Sequence, residues 1–414
     1  MTIDSGWVKI LKANCPNAFS HTIPFTPQTV FIDGQIKLMK SDAITTWELF
    51  YKVQFEATIR NAFKTGASVV ILGFDNYKHV PDAKAPTQRK RCNKIDYYEF
   101  SDNDTLPTII PSCWAQAIRN RSFKAKVIKM ICHNLERLAE LNDKTLIIDW
   151  LDTPIVLGTQ LQLPQACTDI ENKRGECDIK AFNYLELGSL CIFSTDGDYI
   201  PIALLHAHEN PIVLLRYTTT MPQDKKRKRS ETSRGQKYEY VNINPLATFL
   251  QNDLQTFPRP FETFALLVAA TGCDFTLNLP RLGPAKLWAN RRVWKKIEFA
   301  DSMDCRQNLL CTILEMYLIL FKSKITVKNK VNDKNPDAAQ AYDTLKKHLT
   351  SLPSNVDWTF ERVCAHVKNT LWTVLYWQRL HDYPTPTDTN DQCVSLYGFS
   401  LDPSGRTIFE AITK

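Results

Sequence analysis

Three hydrophobic runs in this chain each end on an aspartate: Thr29-Val30-Phe31-Ile32 on Asp33, Val69 through Phe74 on Asp75, and Leu190 through Thr195 on Asp196. Short runs of β-branched and aromatic residues, bounded by polar turns and separated by helical stretches, predict buried parallel strands. An open parallel sheet binds ligands outside the carboxyl ends of its strands, so these runs would deliver their acids to one edge. Ionised carboxylates gathered within a few ångström repel one another, and a bound divalent cation is the usual remedy.

Further acids join the set. Gly175-Glu176-Cys177-Asp178 opens an amphipathic stretch, Asp198 follows Asp196 across a turn, and Asp274 stands in Thr271-Gly272-Cys273-Asp274-Phe275 after an apolar helix. Asp33, Asp75, Glu176, Asp178, Asp196, Asp198 and Asp274 make seven candidate ligands. Carboxylate oxygens suit Mg²⁺ or Mn²⁺, and two such ions about 4 Å apart can clamp both oxygens of an in-line phosphodiester displacement. Glu176 and Asp178 are two residues apart, which on a regular helix would point them away from each other. They converge only if Glu176 lies in the turn entering the helix, which Gly175 makes cheap.

With 414 residues, 44% of them hydrophobic, the chain can bury a large core, and the pattern is that of a soluble intracellular enzyme. The start Met1-Thr2-Ile3-Asp4-Ser5 lacks a basic-then-apolar signal pattern, and the longest apolar run, near Leu309–Phe321, is interrupted by Glu315 and too short to cross a bilayer. The twelve cysteines are scattered without a C-x-x-C pair, as expected of reduced core thiols. A formal charge of +7 is modest, but its distribution matters: Lys84, Arg89, Lys90, Arg91 and Lys94 follow Asp75, and Arg119, Arg121, Lys124, Lys126 and Lys129 lie in a helical stretch beginning near Trp114. Basic segments beside a nest of acids suit a polyanion whose phosphates the cations position while the acids hold metal.

Ser41 or Asp42 is expected to cap a helix with Ile44, Trp47, Tyr51, Phe55 and Ile59 as its apolar stripe. Residues 76 to 140 make a long excursion before the strand Leu146-Ile147-Ile148. A polar insertion, Thr218–Lys237, carries Lys225-Lys226-Arg227-Lys228-Arg229, the composition of a monopartite nuclear import signal or, equally, of a disordered basic loop that adds nonspecific DNA affinity. It is bracketed by a strand ending near Leu215 and another at Tyr238–Val241, and helices are expected from Pro245 onward.

Taken in order, Phe31-Ile32-Asp33, Phe74-Asp75, Gly175-Glu176-Cys177-Asp178, Ser194-Thr195-Asp196-Gly197-Asp198 and Gly272-Cys273-Asp274-Phe275, closed by Leu279 through Lys286, resemble the motifs of the flap endonuclease family of XPG-like 5′ nucleases. Gly6-Trp7 is similar to the G-L-W near that family's N-terminus. The resemblance covers roughly the first 300 residues. It implies an α/β, PIN-like core with a mostly parallel sheet, a helical arch, a helix-hairpin-helix element and a helical C-terminal region. The corresponding divisions are an XPG N-terminal-like region at 1–100, an arch or cap at 101–145, an internal-like region at 146–256 with the basic insertion 218–237, a helix-hairpin-helix region at 257–325 and a helical extension at 326–414.

What the resemblance implies for the site is two Mg²⁺ ions, with Mn²⁺ able to substitute. Asp33, Asp75, Glu176 and Asp178 would hold the first, and Asp196, Asp198 and Asp274 would surround the second. Lys84 and Arg91, seven residues apart, match the arch residues that neutralise charge on the scissile phosphate. Arg281, Gly283 and Lys286 would bind DNA at the hairpin. Three departures stand out: Met39 occupies the position of the family's base-stacking tyrosine, Arg281 replaces the first hairpin glycine, and Gln251 through Phe257 begins like a sliding-clamp motif but has Pro258 where the second aromatic belongs.

The implied function is a metal-dependent, structure-specific DNA endonuclease or 5′–3′ exonuclease, a monomer acting on branched or 5′-ended DNA in replication, repair or recombination; its expected location is the nucleus, or the cytoplasm where its DNA replicates there. Two alternatives share the superfamily fold. One is an RNA-cleaving nuclease similar to the herpesviral virion host shutoff proteins, against which the retained Gly283-Pro284 argues. The other is a non-catalytic nucleic-acid-binding scaffold, against which the seven acids argue.

Overall fold

The computed structural model describes residues 6–76, 98–138, 143–169, 175–207, 210–218, 237–273, 275–276, 282–297, 309, 312–313, 316 and 360–378. They divide between two compact units, one built on a sheet and drawn from residues 14–247, the other helical and drawn from the N-terminal helix and residues from 248 onward.

The sheet has eight strands: β1 (Phe19–Ser20), β2 (Thr29–Asp33), β3 (Val69–Gly73), β4 (Thr145–Asp149), β5 (Ile155–Gly158), β6 (Leu190–Phe193), β7 (Ile212–Thr218) and β8 (Lys237–Asn242). Their order is β1-β8-β7-β6-β2-β3-β4-β5. The five central strands, β7-β6-β2-β3-β4, are mutually parallel, and the antiparallel β5, β8 and β1 finish the edges. The fold is therefore α/β with a mostly parallel sheet. Strands β2, β3, β4 and β6 are buried along their whole length, which explains why they read as continuous apolar runs rather than alternating ones.

On one face, Val30, Ile32, Val70, Leu72, Leu146, Ile148, Cys191 and Phe193 share a core with Phe50, Phe55 and Ile59 and with Phe123, Val127, Ile131 and Leu135 of the helix Arg121–Glu136. That helix starts where the Asn120 side chain accepts a hydrogen bond from the Phe123 amide at 3.0 Å. Its Arg121 and Lys129 remain exposed. The helix at Trp47 corrects the expected cap and stripe. Thr46, not Ser41 or Asp42, is the cap, its hydroxyl accepting from the Leu49 amide at 3.2 Å. The helix then widens into a π-turn over Lys52–Glu56 before resuming as Ala57–Lys64. The wider turn keeps Phe50 and Phe55, five residues apart, on the buried face, while Trp47 and Tyr51 are only half-buried.

In the helical unit, Pro260–Ala270 is buried on all sides and packs against Phe360–Trp377. Trp7 is a fixed part of this unit: its indole donates to Thr271 Oγ1 at 2.8 Å and its ring lies edge-on to Phe264 and Trp288. Gly6 is needed for close approach, since a Cβ there would stand 2.6 Å from Pro284 Cγ. Leu254 and Phe257 are buried, so the segment that begins like a clamp motif is spent on packing. The described cysteines are all free, and apart from Cys113 they are buried. Among the described residues no helix is long and apolar enough to cross a membrane.

Candidate active site

Asp33 is the last residue of β2 and caps the short helix Gly34–Lys37, with the Gln35 amide donating to Oδ1 at 2.9 Å. Because β6 runs parallel beside β2, Ser194, just past the end of β6, arrives next to it and donates to Asp33 Oδ2 at 2.8 Å. The same Ser194 hydroxyl accepts from the Asp196 amide at 3.1 Å, and Asp196 Oδ1 accepts from the Asp198 amide at 3.1 Å. One serine thus ties the end of β2 to the loop bearing two further acids.

Asp75 lies two residues beyond β3. Its Oδ1 accepts from the Cys177 amide at 3.0 Å, and the neighbouring Asn76 amide donates to the Gly175 carbonyl at 2.7 Å. These bonds hold the Gly175–Asp178 segment against the end of β3. Glu176 is in extended backbone immediately before the helix Cys177–Lys180, and Asp178 is in its first turn. The backbone therefore departs from helical geometry between the two acids, as their convergence requires.

The electrostatics report that these acids share one field. Burial pushes the Asp33 carboxyl up from its ordinary 3.8 to about 6, the Ser194 hydrogen bond opposes this, and the charges of Asp75 and Asp196 push it further up. Cys177, completely buried, has its thiol raised far above its ordinary value, first by desolvation and then by Asp33 and Asp75. A thiol held protonated this firmly is not a nucleophile. Tyr199, also buried, is raised first by desolvation and then by Asp33, with Cys177, Asp178 and Asp196 adding to the effect.

Asp33, Asp75, Asp178 and Asp196 are thus brought into one neighbourhood, with Glu176 and Asp198 buried on the same loops. Asp274, Lys84, Arg91 and Arg281 lie outside the described residues. Gly283, which precedes the helix Pro284–Ala289, and the exposed Lys286 within it belong to the helical unit. No atom lies within 4 Å of where a Gly283 Cβ would be, so its glycine is not a packing necessity.

The all-carboxylate donor set and the upward displacement of Asp33 fit a hard divalent cation. Among the described residues, however, no three His, Cys, Asp or Glu side chains close into a group that could coordinate one as they stand. The chemistry fits; the side-chain positions are not those of a finished cage.

Sequence reasoning missed a further acid of the same pattern. Strand β4 also ends on an aspartate, Asp149, buried like Asp33. Lys180 Nζ lies 2.6 Å from its Oδ1, and Tyr184 donates to its Oδ2 at 2.8 Å. The signal was available, since the run Thr145 through Ile148 terminates on Asp149 just as the other three terminate on theirs. Ser194 was visible as part of its strand run, but its service to Asp33 was not.

No family model matches the chain, and no curated protein matches it. Among solved structures, the catalytic core of Rad2 in complex with a DNA substrate aligns over 89% of this chain and 98% of that one, with 13% identity and a TM-score of 0.34. A likeness so loose assigns neither family nor activity.

Proposed function

We propose that the chain is a metal-dependent, structure-specific nuclease that hydrolyses phosphodiesters in branched or 5′-ended DNA. The observation that carries this reading is the gathering of Asp33, Asp75, Asp178 and Asp196 at the carboxyl edge of a parallel sheet, with Asp33 displaced to about 6. A chain that buries acids against one another destabilises itself unless a cation offsets their charge. The order of the acidic motifs along the chain supports the reading.

In this proposal Asp33, Asp75, Glu176 and Asp178 hold one Mg²⁺ and Asp196, Asp198 and Asp274 the second. Bound Mg²⁺, or Mn²⁺ in its place, supplies an activated water and stabilises charge on the leaving oxygen. The protein's own work is orientation. Ser194 fixes Asp33 and the Asp196 loop together, and the Cys177 amide fixes Asp75 against the segment that carries Glu176 and Asp178. Lys84 and Arg91 serve to neutralise the scissile phosphate, with 101–145 as the cap. Arg281, Gly283 and Lys286 bind duplex within a 257–325 hairpin region. A monomer directed to the nucleus by Lys225–Arg229 completes the proposal.

The test compares labelled 5′-flap DNA, bubble DNA and single-stranded RNA, each with Mg²⁺ and with EDTA. Cleavage of a branched DNA in Mg²⁺ only is expected. Asp75→Ala should lower the single-turnover rate by at least about 10²-fold, as for loss of a group acting on transition-state charge, with DNA binding changed only a few-fold. Undiminished cleavage in EDTA, or a wild-type rate in Asp75→Ala, would overturn the metal reading. RNA cut in preference to every DNA would move the substrate to RNA.

A further inference from the structure

Tyr184 and Tyr199 are both buried in the sheet unit, yet their hydroxyls fare differently. Tyr184 donates to Asp149 Oδ2 at 2.8 Å. Tyr199, 1% exposed, has a buried hydroxyl with no hydrogen-bond partner among the described residues. A buried polar group left unpartnered is costly, and phenylalanine would fill the same space without that cost.

The chain's path explains what surrounds this hydroxyl. Tyr199 follows Asp198 and opens the helix Tyr199–Leu205, directly after the loop that Ser194 ties to Asp33. Side chains on a helix lean toward its N-terminus, so a residue in the first turn leans back over the loop that precedes it. The Tyr199 ring packs on Phe182, 6.5 Å between ring centres, and Phe182 stacks in turn on His206 at 5.0 Å. Phe182 comes just after the helix Cys177–Lys180, so the tyrosine bridges the segments that carry Asp178 and Asp196. Burial is the first influence on its phenol, followed by Asp33, Cys177, Asp178 and Asp196. Three of those four neighbours are proposed metal ligands, and an ionised carboxylate is only an acceptor. Among the described residues the hydroxyl lacks an acceptor and the carboxylates do not close into a cation-holding group; drawing the acids together would answer both.

We propose that Tyr199 is a positioning residue of this site: once Asp33, Asp178 and Asp196 gather around a divalent cation, its hydroxyl donates to one of their oxygens and fixes the arrangement. The inference rests on the metal reading given above, and not on which nucleic acid is cut. Carboxylates that ligate a metal are themselves held by outer hydrogen bonds, and a donor pinned by ring packing holds them at little further entropic cost. Ser194 and the Cys177 amide do this for Asp33 and Asp75, and Tyr199 adds a donor between the two acid-bearing segments.

The experiment titrates Mn²⁺ into the full-length wild type, Tyr199→Phe and Tyr184→Phe, following the free ion by electron paramagnetic resonance, and measures the urea midpoint of each protein without metal. Tyr199→Phe is expected to weaken Mn²⁺ binding by at least about tenfold, as when a group that orients a metal ligand is removed. Without metal it should be no less stable than wild type, because the deleted hydroxyl has no partner to lose. Tyr184→Phe should do the opposite, lowering the urea midpoint and leaving Mn²⁺ affinity unchanged. Wild-type Mn²⁺ affinity in Tyr199→Phe, an equal loss of affinity in Tyr184→Phe, or a metal-free midpoint as low in Tyr199→Phe as in Tyr184→Phe would overturn the proposal and leave the metal reading standing. No saturable Mn²⁺ binding by the wild type would overturn the two together.

Discussion

Asp33 and Asp149 occupy equivalent places in the sheet and live in opposite electrostatic worlds. Both close a central parallel strand, both are buried, and in the strand register both stand level with Gly73 of β3, one on either side. Asp149 receives a cation: Lys180 Nζ sits 2.6 Å from it and also donates to the carbonyls of Phe74 and Asp149 at 2.8 and 2.9 Å. Asp33 receives two neutral donors, the Gln35 amide and the Ser194 hydroxyl, and feels two further carboxylates. Burying a charge is costly unless it is paired. The comparison separates an acid that holds the fold together from one that strains it, and the strained one is where an external cation has something to gain.

The sharpest way to break this comparison is to remove the cation from the compensated side. Lys180→Met leaves Asp149 buried beside Tyr184 with no ammonium, and should lower unfolding free energy by about 3–5 kcal/mol, the usual cost of breaking one half of a buried pair. The double variant Asp149→Asn/Lys180→Met should recover much of that loss, because the orphaned charge is gone. Urea denaturation followed by circular dichroism measures both. Equal stability of the single and double variants would show that Lys180 acts through its carbonyl contacts alone.

On the other side the sign should reverse. Asp33 has its carboxyl raised from 3.8 to about 6, so the folded state binds this proton more tightly than the unfolded state does. Stability from this group is fully present below about pH 4 and is lost as pH rises through about 6, amounting to about 3 kcal/mol at most above that. Asp33→Asn should therefore stabilise the metal-free protein at pH 7.5 and flatten its stability profile between pH 4 and 6. Saturating Mg²⁺ should narrow the gap by stabilising the wild type alone. An Asp33→Asn protein less stable than wild type at pH 7.5 without metal would remove the strain assigned to this site.

How far the comparison was legible in the sequence follows from what is local and what is not. The strands at Thr29, Val69 and Leu190 announce themselves because each is a buried β-branched run, and the acids at their ends come with them. The helix at Trp47 was visible, but its cap was not, since Ser41, Asp42 and Thr46 are all chemically fit and only the loop's path chooses Thr46. The π-turn at Lys52–Glu56 shifts the buried face by one residue, which a stripe drawn at helical spacing cannot register. Least legible were the long-range partners. Ser194 and Asp33 are 161 residues apart, and a strand-end aspartate carries no local mark of whether a lysine such as Lys180 will meet it.

The smallest expected effect tests whether Asp149 is held by its cation or by a wider network. Tyr184 is fully buried, its hydroxyl donates to Asp149 Oδ2 at 2.8 Å, and its ring lies 6.2 Å from that of Phe31. Tyr184→Phe keeps the ring and deletes the donor, leaving Lys180 to carry the charge. A hydrogen bond to a charged group contributes about 1.5–3 kcal/mol, and with the ammonium still 2.6 Å away the loss should fall near the lower figure. In the Asp149→Asn/Lys180→Met background the same substitution should cost less still, because the acceptor is no longer charged. A loss from Tyr184→Phe as large as that from Lys180→Met would mean that the phenol, not the ammonium, is the principal partner of Asp149.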